Sequence, residues 1–549
     1  MRFKTRLDSL VRTLPFVIAA LGSALLVLQW SWGRMLWLDE EMIAINFRDR
    51  SFWGLTGALS LAQAAPYGWL VLERTMLLLF GDGERSLRTI PVLFGIATLA
   101  SAVWVGRRWM TPAGAIALVF LCAMGQWVAF HALELKHYSA DVCFGLLLPA
   151  LAVFALEDET ARAPINRKRI VGWWIVAAAA QWFSNGALFV APACAVMLLV
   201  AGWRRLGWRG VFEVGLPGAV WLVSFAANYR ITLAPALASD FLRGYWSSAF
   251  PPPGSGPVQT VRWLWEQLGP VAVKPGGSGF GVVFWIVSAA GFIAAVRCSK
   301  PLRFVYLSIP IWAFVFAALR VVPMSERLGL WFVPALYVGV ALAAQATATL
   351  VSRAATARKP LGLAAGLAAA ALLVAMAVDV YQRGTIYMTL TSPTANHELD
   401  DRAAVRWLLR ERRPGDVWMA SYLTLPAIWW YAGNDASSPA VEASFDYNPA
   451  NCGPNDLAAW VKSAHPTRAL VYLGFGHDTP PPFADLLVQR LTAIASVTAY
   501  RPVKWGHVLI VDFQSPSIGT VTLGALSRQQ PDRRPETLGC IAITPARRW

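Results

Sequence analysis

The stretch LPFVIAALGSALLVLQWSWGRMLWLDEE, Leu14 to Glu41, decides the fold class. It follows the basic start Met1-Arg-Phe-Lys-Thr-Arg6 and stays apolar as far as Trp37, before three consecutive acids. That is longer than the ~20 residues a helix needs to cross a bilayer core. A signal peptide shares the basic start, but this apolar run is long for one. No small-x-small cleavage pattern precedes Trp30-Ser-Trp-Gly-Arg34 either. The expectation is an uncleaved first span with its N-terminus in the cytoplasm.

Similar runs recur to residue 382. Candidate spans lie at 14–37, 88–106, 112–131, 138–156, 171–183, 186–202, 211–229, 279–297, 302–320, 327–349 and 361–382. Of 549 residues, 56% are hydrophobic and 15% charged, against about 25% charged in soluble domains. A single soluble domain and a disordered chain are excluded, and 6 Cys are too few for a disulfide scaffold. The expected class is an all-α polytopic membrane protein of about 11 transmembrane helices. A small C-terminal α/β domain outside the cytoplasm completes it.

The net charge of +16 raises nucleic acid as a partner. Its distribution argues for a membrane instead. Arg107-Arg108, Arg162 with Arg167-Lys168-Arg169, Arg204-Arg205 with Arg209, Arg297 to Arg303, and Arg353 with Arg358-Lys359 occupy alternate connections. That is the positive-inside pattern, and it also suits anionic lipid. No zinc-type Cys/His spacing, Walker loop or dinucleotide fingerprint is present. No nucleic-acid partner is expected. Cys122, Cys143, Cys194 and Cys298 read as core residues, while pairing of Cys452 with Cys540 is left open.

Pro66–Phe80 is apolar but short, with Glu73-Arg74 near its middle. A charge at the bilayer centre costs about 2.5–3.5 kcal/mol on insertion scales. Counting it as a span would also place every later basic loop outside. It reads as an interfacial helix within a long outer loop, 38–87. A second outer loop, 230–278, is rich in aromatic residues and proline. The expected transmembrane domain is 1–383.

Beyond it the pattern changes. Leu399–Arg413 has helical spacing, and Pro414-Gly415-Asp416 signals a turn. Val417–Ala420, Ala469–Leu473 and His507–Phe513 read as strands. Pro426–Tyr431 and Phe483–Ile494 read as helical. A small α/β domain over 384–514 is expected, followed by a polar basic tail, 515–549.

Chemistry-bearing residues gather at the outer ends of spans. Asp39 and Glu40, with Glu41, follow the first span, where an acid can act as a general base or hold a divalent cation. Glu134, Lys136, His137, Tyr138 and Asp141 occupy one very short outer loop and the next helix start. Ionisable groups at membrane depth usually face a polar cavity. Arg88, Arg243 and Arg327 stand at the same face as candidates for an anion, with Glu326 beside Arg327. Acids and cations on one face suit deprotonation of one group and neutralisation of an anionic leaving group. Each could instead be a solvated boundary residue.

In order along the chain, several short motifs resemble one family. They are the Asp39-Glu40 pair, Pro66-Tyr67, Phe80-Gly81, Ser86-Leu-Arg-Thr-Ile-Pro91, Gly106-Arg-Arg108, Glu134-Leu-Lys-His-Tyr138 and Pro414-Gly-Asp416. The set resembles the GT-C integral-membrane glycosyltransferases, nearest to the group of protein O-mannosyltransferases and the lipid A aminoarabinose transferase. It covers most of 10–430 and is strongest over 36–145.

The resemblance implies a donor sugar on a polyprenyl phosphate and a glycan, lipid or protein acceptor. It also implies inversion at the anomeric carbon and a multi-pass inner (plasma) membrane location. It makes Asp39 the base, with Glu40 beside it. It gives Arg88 and Lys136, with His137 and Tyr138 of the same motif, to the donor phosphate, and Arg243 and Arg327 are assigned there by their place at the outer face. Lys136 stands where many relatives have arginine, so the charge is kept without the planar fork. Many relatives also carry His or Lys before two prolines where this chain reads Gln63-Ala-Ala-Pro66. A Mg²⁺ or Mn²⁺ ion is compatible with the acids but is not assigned. The alternatives are a transporter or lipid flippase, and a non-catalytic scaffold. Against the first, no internal repeat is found and the charges lie at one face rather than the midplane.

Overall fold

The computed structural model describes residues 2–157, 166–294, 300–390, 400–433, 440–446, 449–474, 483–503, 506–514 and 540–546. The basic connections at Arg162 and Arg297, and Cys298, lie outside these. Early elements are α1 (Arg2–Ser31), α2 (Leu38–Asp49) and α3 (Tyr67–Phe80). By packing the chain divides into two compact units, 1–33 with 50–393 and 34–49 with 394–549.

In the first unit, seven helices are long and apolar enough to cross a membrane: Val11–Ser31, Glu84–Trp109, Tyr138–Ala155, Ala187–Leu206, Pro301–Ala318, Glu326–Thr356 and Pro360–Ile386. Two bent pairs, Pro112–Met124 with Gln126–Ala132 and Trp208–Gly215 with Gly218–Leu237, make nine if each pair is one span. The bends fall at Gly125 and at Leu216-Pro217, where backbone freedom or a missing N–H interrupts the helix.

The two remaining candidates, 171–183 and 279–297, are represented by Arg167–Ala180 and Val282–Ala294, of 14 and 13 residues. At 1.5 Å per residue these reach about 21 and 20 Å, short of the ~30 Å core. Eleven full-length spans are therefore not found among the described residues. The 14-residue α3 is also too short.

Close helix approach holds this unit together, since lipid gives apolar surfaces no drive to leave it. A Cβ at Gly291 would lie 1.9 Å from the Gly339 carbonyl oxygen, so only glycine permits that crossing. Beside it, Ser288 Oγ donates to the Leu336 carbonyl at 3.1 Å. Trp173 Nε1 and Tyr306 Oη donate to the carbonyls of Leu148 and Leu146 at 3.0 and 2.7 Å, so each buried ring satisfies its polar end.

The second unit is built on a six-stranded sheet in the order β4-β5-β3-β1-β2-β6. Its strands are β1 (Val417–Ser421), β2 (Ala440–Asp446), β3 (Arg468–Gly474), β4 (Ser496–Val503), β5 (Gly506–Asp512) and β6 (Cys540–Pro545). β1 pairs in parallel with β2 and β3, while β4, β5 and β6 pair antiparallel. Every residue of β3 is buried, as expected for an interior strand.

β6 corrects the expectation of an unstructured polar tail from 515. Its Ile541 and Ile543 enter the core, and Cys540 is disulfide-bonded to Cys452. The pairing across 88 residues closes the question left open by sequence. Cys122, Cys143 and Cys194 are free and buried.

α2 packs within this second unit, on the helix Leu425–Tyr431. The Leu36 N–H donates to Tyr431 Oη at 2.8 Å, and Arg48 Nη1 donates to the Trp429 carbonyl at 2.8 Å. The Arg48 guanidinium also lies 5.0 Å from the Trp430 ring centroid. A single arginine therefore caps the end of that helix and stacks on its aromatic face.

Candidate functional site

Within the first unit, five residues, Leu133–His137, join the helix Gln126–Ala132 to the helix Tyr138–Ala155. So short a connection forces its polar side chains into one place. Glu134, Lys136, His137 and Asp141 are all buried.

Glu134 accepts from His131 Nδ1 at 2.5 Å. Burial pushes its carboxyl upward, but His131, Arg327 and Lys136 outweigh burial and hold it down at about 2. It is an anion throughout the physiological range. Lys136 Nζ donates to Gln63 Oε1 at 2.6 Å. Gln63 is thus the partner of this cation.

His137, a candidate for the donor phosphate, is not cationic here. Burial first, then Lys136, Arg327 and His131, lowers its imidazole to about 3. It is neutral near pH 7, with Nε2 at 3.1 Å from Asn185 Nδ2. A neutral imidazole can offer a hydrogen bond to a substrate, not a charge.

Arg327 comes from another helix start. Its guanidinium lies 5.7 Å from the Tyr138 ring centroid and 5.6 Å from that of Trp246. The turn Glu326–Phe332 that carries it can approach because Gly186 has no side chain. A Cβ there would lie 2.3 Å from Trp331 Cβ. Asp141 serves the same assembly. Its Oδ1 accepts from Ser184 Oγ at 2.6 Å and from the Gly186 N–H at 2.8 Å, tying the break at 184–186 to the Tyr138 helix. Asp141 is thereby a positioning residue.

Arg88 and Arg243 lie on other elements, and Glu326 precedes Arg327. Arg88 is buried at the start of the helix Thr89–Trp109. Arg243 is exposed and paired with Asp240 on the short helix Asp240–Tyr245. Glu326 is half-exposed and forms an ion pair with Lys274 at 3.2 Å. Sequence reading missed His131, Gln63, Asn185 and Trp246. Only His131 had a local signal, its i,i+3 spacing to Glu134.

Several buried polar atoms around this group have no hydrogen-bond partner: His137 Nδ1, Asn185 Oδ1, Ser139 Oγ, Trp69 Nε1 and both carboxyl oxygens of Glu73. Trp69 lies edge-on to His137, with centroids 6.2 Å apart, and Glu73 follows one helical turn later on α3. Burial raises the Glu73 carboxyl well above the carboxylate range. Such atoms are costly unless a ligand or water completes them.

In the second unit, α2 presents Asp39, Glu40 and Glu41 in its first turn. The three acids have separate environments. Glu40 is fully buried and its Oε2 accepts the Trp37 N–H at 3.1 Å, a local contact at the helix start. Asp39 is only partly buried. Glu41 is fully buried, and neither of its carboxyl oxygens has a hydrogen-bond partner. Burial first, then Asp401 and Glu40, raises its carboxyl well above the usual range. Asp401, which accepts from Tyr472 Oη, is pushed up to about 7 mainly by burial.

Asp401 and Glu41 therefore fold as neutral acids, and the sign of the linkage follows. A carboxyl raised above its unfolded value binds more protons folded than unfolded. Stability is complete below the unfolded value of 3.8 and is lost as pH rises toward about 7. The expected result is a melting temperature lower by on the order of 5 °C at pH 8 than at pH 5. Asp401→Asn should flatten that dependence. Scanning calorimetry of the full chain in detergent at both pH values checks it; equal slopes in the variant and wild type would reject the assignment.

No group of three or more His, Cys, Asp or Glu side chains among the described residues is placed to hold a metal ion. Asp39, Glu40 and Glu41, to which the sequence assigns no divalent cation, form no such group.

No known family profile matches the sequence, and no curated protein does. Solved structures do match. Crystal structures of ArnT from Cupriavidus metallidurans, apo and bound to undecaprenyl phosphate, each match with a TM-score of 0.53 at 14% identity, over 90% of this chain and 97% of that one. The oligosaccharyltransferase of Archaeoglobus fulgidus, in complex with Zn and sulfate, matches with a TM-score of 0.50 at 14% identity, over 90% of this chain and 72% of that one.

Proposed function

We propose that this chain, which has the GT-C fold shared by those two transferases, is itself a membrane glycosyltransferase. Its donor is a sugar carried on a polyprenyl phosphate, and its acceptor is a hydroxyl on the outer face of the membrane. The observation that carries the reading is the match over nine-tenths of the chain to a transferase fold crystallised with undecaprenyl phosphate.

The chemistry within each unit, taken by itself, suits the reading. Asp39, the partly exposed acid of α2, takes the proton of the acceptor hydroxyl. The hydroxyl oxygen then attacks the anomeric carbon while the bond from that carbon to the phosphate oxygen breaks, which inverts configuration. Negative charge grows on the departing phosphate. Lys136 and Arg327, held in place by Glu134, Gln63 and Tyr138, are preorganised cations for it. Arg88 is a third. The unpartnered atoms near His137 suit the hydroxyls of a sugar. The prenyl chain needs no protein pocket of its own, since it stays in the bilayer. The reading places the N-terminus in the cytoplasm and the sheet domain outside.

The test supplies purified protein with a panel of radiolabelled polyprenyl-phosphate sugars and a native membrane extract. Label is expected to leave one donor for a new product. Binding of none of the donors would overturn the reading.

A further inference from the structure

We propose that a groove in the sheet domain binds an acidic stretch of the acceptor, a saccharide carrying phosphate or carboxylate groups. The groove has a volume of about 560 Å³ and is lined by Asp400, Arg402, Arg406, Arg410 and Arg501 with the small apolar surfaces of Ala403 and Leu409. All of these belong to the second unit. The inference rests on the transferase reading for the word acceptor; the anion-binding groove itself does not.

Local sequence builds the charge. The helix Asp401–Glu411 buries Ala404, Val405 and Leu408 on one side. Its arginines at 402, 406 and 410 follow the i,i+4,i+8 repeat and share one face. At 1.5 Å per residue they stand about 6 Å apart along the axis. Arg501, from β4, joins them in the lining.

The side chains of Arg406, Arg410 and Arg501 make no ion pair or hydrogen bond with any described residue. Arg468 of the same unit, by contrast, is paired with Asp416 at 3.1 Å. The one acid of the lining, Asp400, already uses Oδ1 to accept the Ala403 N–H at 3.0 Å. Four arginines against one acid leave an excess of positive charge in the lining, and an anion relieves it. Arginine forks are suited to phosphate and carboxylate. A row of forks suits an extended chain with charge on successive units better than a single small ion.

The surrounding surface argues against the bilayer as occupant. A helix that lies on a membrane presents large apolar side chains to it. Among the described residues of the second unit no large apolar side chain is exposed; the exposed ones all belong to the first unit. The groove is also concave, where a lipid surface would meet a flat or convex face.

Calorimetric titration of the full chain in phosphatidylcholine nanodiscs tests this. Hexagalacturonate, a carboxylated oligosaccharide, is expected to bind, more weakly as salt rises, and neutral maltohexaose is not. The triple variant Arg406→Ala, Arg410→Ala, Arg501→Ala should bind at least about tenfold more weakly. A triple lysine variant should retain part of the affinity, which separates lost charge from lost folding. Equal binding by the alanine variant would overturn the proposal. So would loss of hexagalacturonate binding in nanodiscs of phosphatidylglycerol, because bilayer headgroups would then fill the groove. Sugar transfer on the same samples separates the two readings. Transfer without hexagalacturonate binding sinks the groove alone. Binding without transfer sinks the transferase and leaves a polyanion site.

Discussion

Asp39→Asn should lower sugar transfer by roughly 10³-fold, the usual scale for loss of a general base. Asparagine keeps the shape and hydrogen-bonding capacity of the side chain but cannot take a proton. Donor binding should be unchanged, because the substitution acts on the acceptor's hydroxyl. The neighbouring acid gives the control. Glu40 is fully buried and accepts the Trp37 N–H, and glutamine can still accept there. Glu40→Gln is therefore expected to cost far less activity. The measurement is single-turnover transfer with labelled donor, alongside thermal melting to establish folding. If Asp39→Asn transfers at the wild-type rate, the base lies elsewhere.

Lys136→Met is expected to lower kcat/KM by roughly 10²-fold, the scale for losing one preorganised electrostatic contact to a developing negative charge. Methionine keeps most of the stem and removes the charge. The cause would be doubled at this position, because Lys136 also helps to hold Glu134 ionised. Without it, Glu134 should titrate at a higher pH, and the pH profile of the variant should shift in its acid limb. Lys136→Arg should recover part of the rate, since the site keeps its charge and gains a fork. A methionine variant with full activity and an unmoved profile would remove Lys136 from the donor site.

The two experiments probe different parts of one chain. Asp39 belongs to the compact unit with the sheet, and Lys136 to the unit with the spans. Each effect should be measurable on its own. The salt dependence of groove binding adds a third reading that neither substitution should alter.

What was legible in the sequence was local. Apolar length shows where helices can cross, and the charged connections between them suggest an orientation. The acid run after α1 and the cluster 134–141 stand out because ionisable groups are rare beside apolar runs. β1, β3 and β5 could be read from their apolar content. β2 carries Glu442 and Asp446, and β4 carries Thr498, Tyr500 and Arg501, so neither shows a clean alternation. β6 lies beyond a long polar stretch and is recognisable only through its partner β2 and the disulfide to Cys452.

Composition and order along the chain determined that this protein is a polytopic helical membrane protein with an appended α/β domain. They also put acids and cations at span ends. Tertiary structure decided what those groups are. It made His137 neutral, Glu134 an anion and Asp401 an acid that titrates near 7, because desolvation and charges from distant helices set the protonation of a buried group. It also paired Lys136 with Gln63 across 73 residues and committed Glu40 to the backbone. Spacing along a chain reports which face of a helix a residue occupies, but not what another element brings against it.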